Sequence, residues 1–293
     1  MVLQSMKELQ ELIDKKEINI LYQDSKFKFS CIGCGDCCLN SKIRLNSYDI
    51  YNILNVPLIK YLGINDFGDL FDNGYVLFED IGNVGVPSVY LKTVLVGYHR
   101  KCIFLSSAYD GNIVEWEKLN MQEKHVFTNM LKRKKTVDGR YSFLCALGNK
   151  NKPVSCKSFP VERYLGINDS GKHMSIYALT RNIPKSCDIS DKAKEWTLKE
   201  WLEENNLVEG FDYSYWFTYR FNDFINIIPK LQHCDEQYKD LIIQTFVAIF
   251  YNYQLNVSNL LGKDIKELSF LDVRTLLDNQ YVGMMKELCE KIK

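Results

Sequence analysis

Cys31-Ile-Gly-Cys34-Gly-Asp-Cys37-Cys38 places four cysteines within eight residues. Two residues separate Cys31 from Cys34 and Cys34 from Cys37, a spacing that lets a tight backbone turn aim successive sulfurs at one centre. Gly33 and Gly35 ease such a turn because they tolerate positive φ. Thiols crowded this way, in a chain that opens without an export signal, point to metal rather than to disulfides. Packing alone has no reason to prefer the spacing, so a reading of the quartet as small buried hydrophobes is set aside.

Before the cluster, Leu9, Leu12 and Ile13 recur at helical spacing among charged residues, which predicts a helix over Met1 to Gln23. Acidic side chains break every apolar window there, so the segment is not read as a signal peptide and the reducing cytosol is the expected compartment. Lys plus Arg and Asp plus Glu both number 37, which gives no whole-molecule pull towards nucleic acid or anionic membrane. The most apolar stretch, Leu241 to Phe250, falls short of the ~20 residues of a membrane span and reads as a core helix. The 293 residues allow one enlarged domain or two smaller ones.

After the cluster, Ser47 to Leu62 reads as helix, with Ser47 as cap, Pro57 as a kink or division and Gly63 as the stop. Tyr75 to Phe78 and Ser88 to Val96 read as strands of a hairpin or meander, with Gly82, Gly85 and Pro87 between them. A helix is expected over Trp116 to Lys134, and a second hairpin over Tyr164 to Tyr177 with its turn at Asn168-Asp-Ser-Gly171. From Asp191 onwards helical patterns dominate, at Lys194 to Asn205, Tyr238 to Leu255 and Val273 to Lys293. Tyr-Leu-Gly-Ile-Asn-Asp occurs at both Tyr61 to Asp66 and Tyr164 to Asp169, in contexts too different for a repeat.

Further cysteines follow at Cys102 in Cys-Ile-Phe-Leu105, at Cys145, at Cys156 in Cys-Lys-Ser-Phe-Pro160 and at Cys187. With these residues the chain resembles the YkgJ-like CxxCxxCC family of zinc- or iron-chelating proteins, which carry eight cysteines in this order. The resemblance covers about residues 27 to 190. It departs from the family between Cys145 and Pro160, where one residue is inserted, a tyrosine is missing and lysines stand for the usual arginines, and in the long gap between Cys102 and Cys145. The resemblance implies a ligand set of Cys31, Cys34, Cys37, Cys38, Cys102, Cys145, Cys156 and Cys187. A lysine methylase acting on flagellin has been associated with that family, which implies an enzymatic alternative.

Each zinc or iron in a closed site takes about four sulfurs, so eight thiolates suit two mononuclear sites, or one iron-sulfur cluster and one mononuclear site. Adjacent side chains on an extended segment face opposite ways, which would split Cys37 and Cys38 between two centres or let them bridge a binuclear one. The ferredoxin-like spacing of Cys31, Cys34 and Cys37 fits an iron-sulfur cluster as well as it fits zinc.

Weaker candidates remain. His99 lies close enough to Cys102 in sequence to replace a sulfur, but reads first as a polar residue at a strand end. His125, His173 and His233 lack partner motifs, and Cys234 and Cys289 lie outside the cysteine series. Asp80 to Gly85 reads as a turn and not a nucleotide loop, and the sequence shows no P-loop, G-x-S-x-G elbow or methyltransferase glycine motif. Lys132-Arg-Lys-Lys135 reads as a solvated helix end, and the aromatic run from Trp196 to Tyr219 as core packing. The expectation is an α+β protein. It has an N-terminal helix (1-26), an irregular cysteine-rich zinc- or iron-chelating domain with short antiparallel strands and helices (27-190) and a helical C-terminal region (191-293). Its expected function is metal binding, the metal structural or supporting a protein-partner surface. The alternative is an iron-sulfur enzyme that modifies protein side chains.

Overall fold

The computed structural model describes residues 3–15, 18–31, 35–39, 41–80, 87–96, 98–105, 145–167, 173–180, 183–229, 235–251 and 270–291. The helix expected over Trp116 to Lys134, the basic run Lys132 to Lys135 and the turn at Asn168 to Gly171 lie outside them, as do Cys34, His125, His233 and Cys234. Helices and short, mainly antiparallel sheets alternate, as the α+β expectation has it. In chain order the strands are β1 (Leu3–Ser5), β2 (Asn19–Leu21), β3 (Lys26–Lys28), β4 (Val76–Asp80), β5 (Pro87–Leu91), β6 (Thr93–Val96), β7 (His99–Cys102), β8 (Val161–Ile167), β9 (His173–Leu179) and β10 (Glu195–Thr197). The helices are α1 (Met6–Asp14), α2 (Ser47–Leu54), α3 (Pro57–Tyr61), α4 (Phe67–Asp72), α5 (Gly148–Asn151), α6 (Val154–Ser158), α7 (Leu198–Glu204), α8 (Leu207–Ile227), α9 (Glu236–Phe250) and α10 (Phe270–Lys291). The chain divides into two compact units, Met1–Ile43 with Leu91–Asp212 and Arg44–Tyr90 with Tyr213–Lys293.

In the first unit a four-stranded sheet runs β1-β8-β9-β2, with β1 parallel to β8 and the remaining pairs antiparallel. The helix expected over Met1 to Gln23 is therefore shorter, and strands flank it on both sides. Only Leu9, Leu12 and Ile13 carry the helical period, whereas β-branched Ile18 and Ile20 suit a sheet edge. Strand alternation assigns the faces. Tyr164, Ile176 and Ala178 pack with Ile18 and with Leu12 and Ile13 of α1, while Arg163 and Tyr177 meet Phe211. A second, two-stranded sheet pairs β3 with β10 antiparallel. The helix expected from Lys194 begins only at Leu198, because Thr197 caps it: Glu200 N–H donates to Thr197 Oγ1 at 3.2 Å, and Thr197 N–H donates back to the Glu200 carboxylate at 2.8 Å.

In the second unit Asn46, one residue before the expected Ser47, caps α2. Asn46 Oδ1 accepts from Asp49 N–H at 2.9 Å and the Asp49 carboxylate accepts from Asn46 N–H at 3.1 Å. Pro57 opens α3 and so divides the expected helix, and Gly63 ends it at a φ of 74°. The strand expected over Ser88 to Val96 breaks at Lys92, leaving β5 paired with β4 and β6 paired antiparallel with β7 in the first unit. The helical part of this unit is built on rings. Phe246 stacks on Phe224 with centroids 4.2 Å apart and on Phe250 at 4.4 Å, and Phe221, Phe217 and Tyr281 close around them. Asp278 accepts from Trp216 Nε1 at 2.8 Å and from Arg220 Nε at 2.7 Å.

Candidate metal centre

An aromatic knot in the first unit fixes the backbone on both sides of the cysteine loops. Trp201 packs edge-on against Phe27 and Phe29, and Phe29 against Phe159. The two indoles are tied as well: Trp196 Nε1 donates to the Phe29 carbonyl at 2.9 Å and Trp201 Nε1 to the Ser158 carbonyl at 3.0 Å. Phe29 lies two residues before Cys31, and Ser158 two residues after Cys156. The ladder then runs on past β3. Phe29 N–H donates to Lys194 O, Ser30 N–H to Asp188 O, and Lys194 N–H to Ser30 Oγ. Ser30 and Asp188 form an antiparallel bridge, which sets the chain carrying Cys31 beside the chain carrying Cys187.

Gly35, at a φ of 78°, turns the chain into a single 3-10 turn, Asp36–Cys38. Cys38 N–H donates to Gly35 O at 2.9 Å, and Ser41 Oγ donates to Cys37 O at 2.7 Å. Ser186 Oγ donates to Asp36 Oδ2, a second tie between this turn and the Cys187 segment. The premise that Cys37 and Cys38 occupy an extended segment and face opposite ways does not hold. In the tight turn their sulfurs lie 3.9 Å apart. Two thiolates on one tetrahedral zinc, each about 2.3 Å from the metal, stand about 3.8 Å apart.

Three more thiols come from separate stretches of chain. The bridge between Leu39 and Lys101 lays the end of the 3-10 turn beside β7, whose last residue is Cys102, and the bridge between Leu105 and Cys145 brings in the next cysteine. Cys156 sits in α6 and is half-buried. Cys38 is held well above the ordinary thiol range, first by its hydrogen bond with Cys37, then by burial and by the charges that Cys37, Cys102 and Cys156 would carry beside it. Burial pushes Cys102 up to about 12, with Cys145 and Cys37 adding to it, while the backbone N–H groups of Phe104 and Leu105, aimed at the sulfur, pull down. Burial likewise raises Cys145, against Lys152 and the Leu147 N–H. Packed this way the thiols keep their protons, since thiolates would repel one another; a cation reverses that preference.

The structure thus brings Cys37, Cys38, Cys102, Cys145 and Cys156 into one neighbourhood and places Cys31 and Cys187 on adjacent strands of chain. The seven cysteines of the series within the described residues are thiols. Among the described residues no three of His, Cys, Asp and Glu are already close enough together to surround an ion, so ligation requires these loops to close. His99 pairs with Val96 while Cys102 pairs with Thr93, which puts the His99 backbone about 10 Å along β7 from the thiols. His173 begins β9, and Cys289 lies in α10 of the second unit.

Sequence reasoning did not single out Asp36, Ser186 or Lys157. Lys157, one residue after Cys156, is only 7% exposed, and its Nζ donates to Lys150 O at 3.3 Å. Its one signal in the sequence is the lysine standing where the resembled family has arginine. Comparison with protein-family models, with curated proteins and with solved structures gives no match for this chain.

Proposed function

We propose that the first unit is a zinc- or iron-chelating module in which thiolates close on metal. The convergence of five thiols from four separate chain segments carries this reading. The donors are soft and all sulfur, which suits zinc or iron in mononuclear sites or in an iron-sulfur cluster. The Cys37–Cys38 separation matches two ligands of one centre, and the amides directed at Cys102 and Cys145 would stabilise thiolates there. Cys31, Cys34 and Cys187 complete the eight-cysteine set. Bound metal would further rigidify these loops, and so present a firm surface to a protein partner. A reducing cytosol is the compartment in which such thiols persist. No helix among the described residues is long and apolar enough to cross a membrane.

The test is metal content and visible absorption of the full chain purified without oxygen, beside Cys38→Ser and, as a control in the second unit, Cys289→Ser. Roughly one or two zinc ions per chain, lost in Cys38→Ser and kept in Cys289→Ser, is the expected result. Iron with acid-labile sulfide would shift the reading to the enzymatic alternative, an iron-sulfur protein that modifies protein side chains. A metal-free wild-type protein would overturn chelation altogether.

A further inference from the structure

The second unit contains a buried positive edge that no carboxylate among the described residues neutralises. Arg44 bridges Tyr90 of β5 antiparallel, and Leu45 N–H donates to Val89 O at 2.8 Å. Directly opposed residues of an antiparallel pair share a face, as do positions two apart on one strand, so Arg44, Tyr90 and Ser88 project to the same side. The Arg44 guanidinium lies over the Phe221 ring, 4.1 Å from its centroid, with Phe217 at 5.8 Å. These rings cover the flat face of the cation and leave its edge. Nε and Nη2, the parallel donor pair that takes two oxygens of one anion, are both buried without a hydrogen-bond partner.

Two hydroxyls lie with it. Ser88 Oγ is buried without a hydrogen-bond partner, its residue 0% exposed, and Tyr251 OH, in a residue 1% exposed, makes no hydrogen bond of ordinary geometry. The Tyr251 oxygen faces the Arg44 guanidinium and the Val89 amide, and both favour its ionised form against the burial that raises its pKa. The place therefore has four donor groups and a full positive charge, and among the described residues no carboxylate pairs with Arg44. Water can serve hydroxyls, but it does not neutralise a buried guanidinium; an anion does.

We propose that this face of the second unit binds a small oxyanion. Arg44 Nε and Nη2 hold two of its oxygens, and Ser88 and Tyr251 donate to them. Inorganic phosphate and acetate are the smallest groups that offer two oxygens to such a fork, a phosphate or a carboxylate being the chemistry it recognises. Such a ligand would hold together the start of α2, β5 and the end of α9.

The full chain is freed of oxyanions by dialysis, and its thermal unfolding is followed in chloride with inorganic phosphate or acetate added at matched ionic strength. One of the two should raise Tm in proportion to the logarithm of its concentration, and which one does so identifies the ligand class. Arg44→Lys, which lacks the fork, should weaken that dependence at least ~10-fold, and Tyr251→Phe severalfold. The same Tm in chloride, phosphate and acetate would overturn the proposal. So would an Arg44→Met protein more stable than wild type in every ion, since the guanidinium would then be only a costly packing element. If the Arg44 variants do not fold, unchanged ion dependence in both Tyr251→Phe and Ser88→Ala would be equally decisive against it.

Discussion

Asn46 caps α2 and also donates through Nδ2 to Ser214 Oγ at 2.8 Å, at a position only 7% exposed. Thr197 makes the corresponding capping box for α7 at a solvent-accessible site. Asn46→Ala is therefore expected to cost about 2–3 kcal/mol and Thr197→Ala about 1 kcal/mol in urea unfolding, because only the former also strands a buried hydroxyl. Gly63 isolates the backbone contribution. A Cβ built there meets nothing within 4 Å, so the expected loss of about 1–2 kcal/mol for Gly63→Ala comes from its φ of 74° alone. The glycine stop was legible in sequence because residue type and position coincide. The choice of Asn46 over Ser47 was not, since both types cap well and the deciding partner, Ser214, is 168 residues away.

At the scale of elements, α8 shows what periodicity offered and where attention to composition hid it. Leu207, Phe211, Ser214, Phe217, Thr218, Phe221 and Phe224 are all buried and recur at helical spacing, yet the ring-rich stretch reads in sequence only as core of a helical region, its own helix undelimited. The core role expected for those rings is what the structure has for Trp201, Tyr213 and Phe217. Strands β1 and β2, three residues each, carry no alternation long enough to read, and only their pairing with β8 and β9 defines them. Phe246, fully buried between Phe224 and Phe250, should be the costliest truncation in α9. Phe246→Ala is expected to lose about 3–5 kcal/mol in urea unfolding, while Leu241→Ser, at a residue 56% exposed, should stay within about 0.5 kcal/mol of wild type.

Across the whole molecule, all eight cysteines of the series fall in the first unit, whereas of the described tyrosines that burial shifts upward, Tyr75, Tyr213, Tyr251 and Tyr281 fall in the second and Tyr177 in the first. The cluster stands out in the sequence because its spacing is local. The bridges that gather it, Ser30 to Asp188, Leu39 to Lys101 and Leu105 to Cys145, join distant segments and left no local pattern. Chelation carries a regional prediction. On adding a strong chelator, hydrogen exchange should quicken at residues 35–39, 101–105 and 154–158 while α9 and α10 keep their protection; uniform loosening of both units would contradict it. Burial raises the phenols of Tyr213 and Tyr281 and pushes Tyr251 up to about 12. An unfolded phenol ionises near 10, so between pH 10 and about 12 the unfolded chain gives up protons that the folded chain retains, and stability falls as pH rises. Followed by phenolate absorbance and circular dichroism, a subset of tyrosines should ionise only together with loss of helix.

The first unit is discontinuous: Arg44–Tyr90, part of the second, interrupts it between Cys38 and Cys102. This ordering acts on the nascent chain. Strands β1 and β2 leave the ribosome long before their partners β8 and β9, and Cys31 precedes Cys187 by roughly 150 residues, about 8–30 s of synthesis at 5–20 residues per second. Throughout that interval the first four thiols are exposed to oxidants with their set still incomplete, since Cys102, Cys145 and Cys156 follow one by one and Cys187 comes last. On the chelation proposed above, metal loading would come late in synthesis, and a pause in translation between residues 38 and 187 would be more damaging to it than the same pause near either end.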